Sequence, residues 1–439
     1  MQLKCKRQSK SFANISVALA AATCALVAPA MAELSTLELS TPELSSPEAS
    51  DFDSWDVDLG LLIYAESDDQ VQAYEGALSI TKQIDDERSV NVKGVIDVLT
   101  GASPNGAVAQ NRAQTFTRPS GNGAYTTAAG ETPLDDTFKD TRVALSTQYQ
   151  QQINRLWLYS GGANVSKEYD YLALSINSAL ARDFNNRNST ASFGVAYAYD
   201  TIEPEGGIPN PGVSVDDIDN RLEDSETKQT LDLLLGLTQV INRQTLMQFN
   251  YSISDVSGYQ TDPFKILSVV DSDGWVNDYV YENRPDQRIK QSLFWRSKYN
   301  LQPSGQVLDV SYRYFWDDWG MASHTIDSKW RMPLANSHFI EPHIRYYNQQ
   351  AVDFYQVYLD EGQPIPEYMT ADYRLGELQT YTIGLKYGLP IAGNEFSVRL
   401  EYYLTEVSGD ESLAKGAGMS GVDLYPDKSA VMLQSFYRF

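Results

Sequence analysis

Over most of the chain, apolar and polar residues alternate with a period of two, in runs of about 9 to 12 residues, the length of a tilted strand crossing a membrane. The run from Trp55 shows the pattern. Trp55, Val57, Leu59, Leu61 and Ile63 fall on one face, and Asp56, Asp58, Gly60 and Tyr64 on the other. Further runs begin near Val71, Ser89, Thr141, Leu156, Tyr171, Ser189, Lys228, Thr245, Gln287, Gln306, Ala322, Phe339, Leu378, Glu395 and Ser429. Sixteen strands are predicted.

The connections alternate in length. Short links at 84–88, 151–155, 184–188, 242–244, 300–305, 335–338 and 391–394 fall at every second position. Between them lie long segments at 101–140, 200–227, 258–286, 352–377 and 407–428. A transmembrane barrel with an even strand number, short periplasmic turns and long external loops has this parity. The predicted fold is therefore all-β, an antiparallel transmembrane barrel of about 16 strands, and one missed or invented hairpin would make it 14 or 18.

Both ends fit this reading. Lys4, Lys6, Arg7 and Lys10, the apolar run 15–27 and Ala30-Met31-Ala32 form the three parts of a secretory signal peptide, cut after Ala32. Residues 33–54 repeat Ser-, Pro- and Glu-rich pieces and are expected to be a flexible periplasmic tail, with the barrel spanning 55–439. The last strand places Val431, Leu433, Tyr437 and Phe439 on one parity. Leu433, Tyr437 and Phe439 resemble the aromatic end by which barrel-assembly machinery recognises outer-membrane proteins. A bacterial outer-membrane location follows, with outer-membrane lipid and lipopolysaccharide as surroundings.

Composition narrows the chemistry. Twenty-eight Tyr and 7 Trp suit interfacial girdles. The first 32 residues hold both cysteines, four of the 34 Lys+Arg and none of the 58 Asp+Glu, which leaves a cysteine-free chain of net charge −28. Nucleic acid is an improbable partner for such a chain. Cysteine-ligated metal and thiolate catalysis have no residues to use.

Taking the apolar parity as lipid-facing, the later strands aim bases inward: Arg288, Lys290, Arg296, Lys298, Arg313, Lys329, Arg331 and Arg345, with Asp309, Asp327 and Glu341 on the same wall. Eight bases against three acids leave a local surplus of five positive charges, while the remaining acid is expected in loops. Such a wall either steers anions or fills the interior with cross-strand ion pairs. Three histidines offer little for catalysis. His324 has lipid-facing parity, His338 falls in a periplasmic turn and His343 faces inward, so no enzyme and no cofactor is expected. Asp271-Ser272-Asp273-Gly274 begins like a calcium loop but lacks the remaining ligands.

Four segments together resemble an uncharacterised outer-membrane family, domain of unknown function 3570. They are Asp97-Val98-Leu99-Thr100-Gly101-Ala102-Ser103-Pro104, then Ser257-Gly258-Tyr259 with Asp262-Pro263-Phe264-Lys265, then Glu282-Asn283-Arg284-Pro285-Asp286-Gln287-Arg288, and Tyr312-Arg313-Tyr314-Phe315-Trp316-Asp317-Asp318-Trp319-Gly320. The resemblance implies a barrel and no established activity. On the predicted topology all four lie at the external mouth, which points either to a ligand site containing Asp97, Asp262, Asp286, Arg288, Asp317 and Asp318 or to tight loops that seal the barrel. The functional expectation is a porin-like channel passing small polar or anionic solutes; the alternatives are a closed barrel for surface binding or assembly and, further off, a surface enzyme.

Overall fold

The computed structural model describes residues 55–67, 70–118, 123–135, 139–217 and 221–439. The expected signal peptide and tail lie outside the described residues. Sixteen strands close into one barrel in chain order. They are β1 Trp55–Glu66, β2 Gln72–Gln83, β3 Arg88–Thr100, β4 Lys139–Asn154, β5 Trp157–Lys167, β6 Tyr171–Phe184, β7 Ser189–Ile202, β8 Glu226–Val240, β9 Thr245–Gly258, β10 Gln287–Leu301, β11 Gln306–Asp317, β12 Ala322–Pro333, β13 Phe339–Gln349, β14 Glu377–Ile391, β15 Asn394–Ser408 and β16 Lys428–Arg438. Every neighbouring pair is antiparallel, and β16 closes on β1 with Gly60 opposite Phe436 and Leu62 opposite Gln434. The predicted strand number and parity hold.

The barrel reverses the burial rule of a water-soluble protein. Leu59, Leu61, Ile63, Leu231, Leu233, Leu235, Ile383, Leu385 and Leu400 are exposed on its outer face, while Glu75, Asp97, Asp200, Glu341 and Arg399 are buried. Period-two alternation on a closed sheet gives this result, with one parity presented to hydrocarbon and the other to the lumen. Among the described residues no helix is long and apolar enough to cross a membrane. Two of the short turns rely on left-handed asparagine. Asn185, Asn186 and Arg187 turn β6 into β7, and Asn336 and Ser337 turn β12 into β13, all at positive φ; Asn is the non-glycine residue that tolerates this region best.

The opposite end carries structure that alternation does not predict. The loop joining β9 to β10 contains a hairpin, Ile266–Val270 with Val276–Tyr281, and Leu359–Asp360 from the β13–β14 loop adds a third, parallel strand. Asp271 makes the hairpin's turn, its carboxylate accepting from the Asp273 and Trp275 N–H groups at 2.9 and 2.8 Å. The Asp-x-Asp-Gly sequence is thus a turn.

Loops from well-separated points of the ring meet on this hairpin. From the β3–β4 loop, the Val108 N–H donates to Ser268 Oγ (3.1 Å) and Gln110 Nε2 to the Gly274 carbonyl (3.2 Å). From the β15–β16 loop, the backbone at Lys415 lies against Gly274, where a Cβ has no room and φ is +81°. Val108, Val270, Val276, Val357, Met419 and Tyr425 form a shared apolar cluster, with Met419 fully buried. Strands spaced this far around a ring can share one hydrophobic cluster only if their loops cross the mouth. The loops form a cap.

Candidate functional site

The register fixes which charges share the lumen. On β1 to β9 the inward acids are Asp56, Asp58, Glu66, Glu75, Asp97, Asp140, Asp183, Asp200, Glu226 and Asp232, against Lys93, Arg142 and Lys228. On β10 to β16 the inward bases are the eight predicted ones with Lys386, Arg399, Lys428 and Arg438, against Asp309, Asp317, Asp327, Glu341, Glu395 and Glu401. Ten acids face three bases on one half, and twelve bases face six acids on the other. The eight predicted bases fall on the inward parity of β10 to β13, but much of the excess acid lines the opposite wall instead of occupying loops only.

Within each half the charges are extensively paired. Arg296 Nε donates to Asp309 Oδ1 at 2.8 Å, and Lys298 lies 3.4 Å from the same carboxylate. Arg288 Nε donates to Asp317 at 2.8 Å with its guanidinium over the Trp319 ring, Arg399 meets Glu341 at 2.9 Å, and Arg331 reaches Glu395 at 3.5 Å. His343 bridges Asp327 (2.7 Å) and Glu401 (2.5 Å). On the acidic half, Arg142 meets Asp97 at 2.6 Å and Lys228 meets Asp200 at 3.2 Å. Of the two readings of the basic wall, the ion-paired interior describes these residues. Counted around the whole ring, the basic surplus of one half is offset by the acidic surplus of the other, so the lumen has no net excess of base to prefer anions.

The predicted mouth residues do not form one site. Asp97 belongs to the β3–β4 wall through Arg142. Asp317 and Asp318 build the β11–β12 turn: Asp317 Oδ1 accepts from the Trp319 and Met321 N–H groups, and Asp318 Oδ1 from the Ile289 N–H at 2.8 Å. The Asp286 side chain is exposed, and its carbonyl takes the Gly258 N–H. Asp262 enters a different constellation, one that sequence reading missed.

That constellation joins the β9–β10 and β13–β14 loops inside the cap. Arg284 reaches Glu282 (2.6 Å) and Asp372 (3.0 Å); Arg374 reaches Asp372 (2.5 Å) and Asp262 (3.0 Å). Thr370 Oγ1 donates to Glu282 at 2.5 Å, and Lys265 Nζ holds the Pro104 carbonyl of the β3–β4 loop. Glu282 and Thr370 are fully buried and Asp372 nearly so. Burial disfavours the Asp372 carboxylate, but Arg374, Lys265 and Arg284 outweigh it and hold this carboxyl well below the usual range. Burial also drives Glu282 upward, against the pull of Arg284. Arg284 and Glu282 lie in a family segment, but Asp372 and Arg374 lie some ninety positions on with no periodic signal.

At the rim, Asp140, Glu168 and Asp170 bring one oxygen each within 4.8 Å of one another. Burial, then Asp140, pushes the Glu168 carboxyl up to about 7. The three are half-buried, and acidic groupings of this kind occur without metal.

A closed sixteen-strand sheet with an apolar exterior, a charge-lined interior and a loop cap defines a transmembrane β-barrel of the outer-membrane type. The chain belongs to the family described as protein of unknown function (DUF3570), whose model matches residues 16–439. No curated protein matches the sequence. Solved structures similar to it include the ferric enterobactin receptor PfeA of Pseudomonas aeruginosa (11% identity, 87% of this chain and 60% of that one, TM-score 0.44). The siderophore receptor PirA of Acinetobacter baumannii is similar at 10% identity, with 80% and 53% covered and a TM-score of 0.40. OccK11 (OpdR) of Pseudomonas aeruginosa is similar at 10% identity, with 88% and 95% covered and a TM-score of 0.38. The chain thus spans under two thirds of the length of those receptors.

Proposed function

We propose that this protein is an outer-membrane channel for small polar solutes, entered from outside through a cap of its own loops. The observation that carries the reading is the charge-lined interior of a sixteen-strand barrel. Barrels of this width enclose an aqueous lumen unless something fills it. Near the short-turn end the wall is wet: the Lys298 and Arg296 side chains retain 34% and 31% of their surface, and Glu395 46%. The outer apolar belt contacts outer-membrane lipid and lipopolysaccharide, and barrel-assembly machinery inserts the chain. The solutes are small and polar, with no strong preference for anions.

A second reading, a closed barrel whose cap is a binding surface, is favoured by the fully buried Leu267, Met369 and Met419 inside the cap. Planar-bilayer conductance separates the two. The full chain is expected to conduct weakly, and a variant with residues 264–282 replaced by a short Gly-Ser link to conduct several-fold more. Silence from both, with folding intact by heat-modifiable migration, would leave the closed barrel standing and the channel reading refuted.

A further inference from the structure

We infer that the lumen favours dipolar solutes, small molecules that carry a cationic and an anionic group together, over solutes with net charge of either sign. The inference rests on the channel reading and names its substrate class.

The geometry is a transverse separation of charge. The β1–β9 half has seven more acids than bases, and the β10–β16 half six more bases than acids. In a ring of sixteen, β3 and β11 stand half a turn apart, so Glu75, Asp97 and Asp140 look across the lumen toward Arg288, Lys290 and Arg313. Ion pairing does not erase this separation. Arg142 with Asp97, Lys228 with Asp200, Arg296 with Asp309 and Arg399 with Glu341 each lie within one half, and a pair inside a half leaves its surplus unchanged. Arg438 with Asp58 bridges the seam between β16 and β1.

Short side chains, Gly162, Ser166, Ala173, Gly194, Ala196 and Ser252, are interleaved with the inward acids on β5 to β9. A net anion gains on the basic flank what it loses on the acidic one, and a net cation does the reverse. A zwitterion turned across the lumen gains on both. Focusing by low-dielectric walls strengthens both terms relative to bulk water.

The test uses the full chain and the cap-shortened variant in liposomes. Swelling is followed in γ-aminobutyrate, a zwitterion, and in erythritol, a neutral solute of similar size, and reversal potential is read in a KCl gradient. Swelling is expected to be faster in γ-aminobutyrate by about threefold or more, with K⁺ and Cl⁻ permeabilities within about twofold of each other. Lys290→Gln with Lys298→Gln, on one flank, and Asp56→Asn with Asp183→Asn, on the other, should each lower the γ-aminobutyrate to erythritol ratio toward one. A ratio of one or below in the unaltered chain, a ratio that neither double variant moves, or strong selectivity for ions of one sign would overturn the inference while leaving a channel. Exclusion of erythritol by both proteins would instead refute the channel reading, and the inference with it.

Discussion

Replacing Asp372 by Asn tests whether the cap is held by its buried ion cluster. The Asp372 carboxylate accepts from Arg374 Nε at 2.8 and 3.0 Å, from the Arg374 N–H at 3.1 Å and from Arg284 at 3.0 Å, with 1% of its side chain exposed. Breaking a buried pair by neutralising one partner costs roughly 3–5 kcal/mol, because the remaining charge stays desolvated. Glu282 and Asp262 still serve the two arginines, so the lower figure applies. About 3 kcal/mol corresponds to roughly a 150-fold larger population of open caps. When opening is fast relative to cleavage, proteolysis tracks that population, so cutting within 259–286 and 350–376 should accelerate about a hundredfold. The barrel should keep its heat-modifiable migration, because Asp372 belongs to no ladder of the barrel. The pH dependence has a definite sign. A carboxyl whose folded value is depressed contributes stability above its unfolded value, about 3.9, and loses it as pH falls through the folded value. The cap should therefore stay protected from neutral pH down to about pH 5. Unchanged cleavage in the variant, or a wild-type cap that opens at pH 5.5, would refute the latch.

Two further outcomes follow from the cap and its rim. Gly274→Ala places a methyl group against the Lys415 backbone at a positive φ, and should cost about 1–3 kcal/mol, read as faster cleavage at the hairpin tip and in the β15–β16 loop but not in the barrel. Glu168, raised to about 7 by burial and by Asp140, binds more protons folded than unfolded between about pH 4.5 and 7. Its contribution to stability is then present at low pH and lost as pH rises through 7. Amide exchange over 166–172, corrected for intrinsic rate, should be faster at pH 8 than at pH 5.5, and Glu168→Gln should flatten the difference.

The sequence alone determined the barrel: strand number, strand starts within about two residues, and the side of the sheet each residue faces. Period-two alternation is a local rule, and on a closed sheet in lipid it leaves no second solution, since every backbone donor must be paired and every outward residue meets hydrocarbon. Thus Leu59, Arg296 and His324 were placed correctly by parity. Only the tertiary structure decided the partners. Arg374 finds Asp262 across 112 positions, and Val108 finds Ser268 across 160, in loops with no periodicity to read. The family segments around Asp262, Glu282 and Asp317 were legible as belonging to the outer mouth, but their division between turn-making and cap-latching was not. The charge separation needed the closure of the ring as well. Alternation says that Glu75 and Arg288 both face inward; that they stand on opposite sides of the lumen follows only when β16 meets β1 and places β2 half a turn from β10.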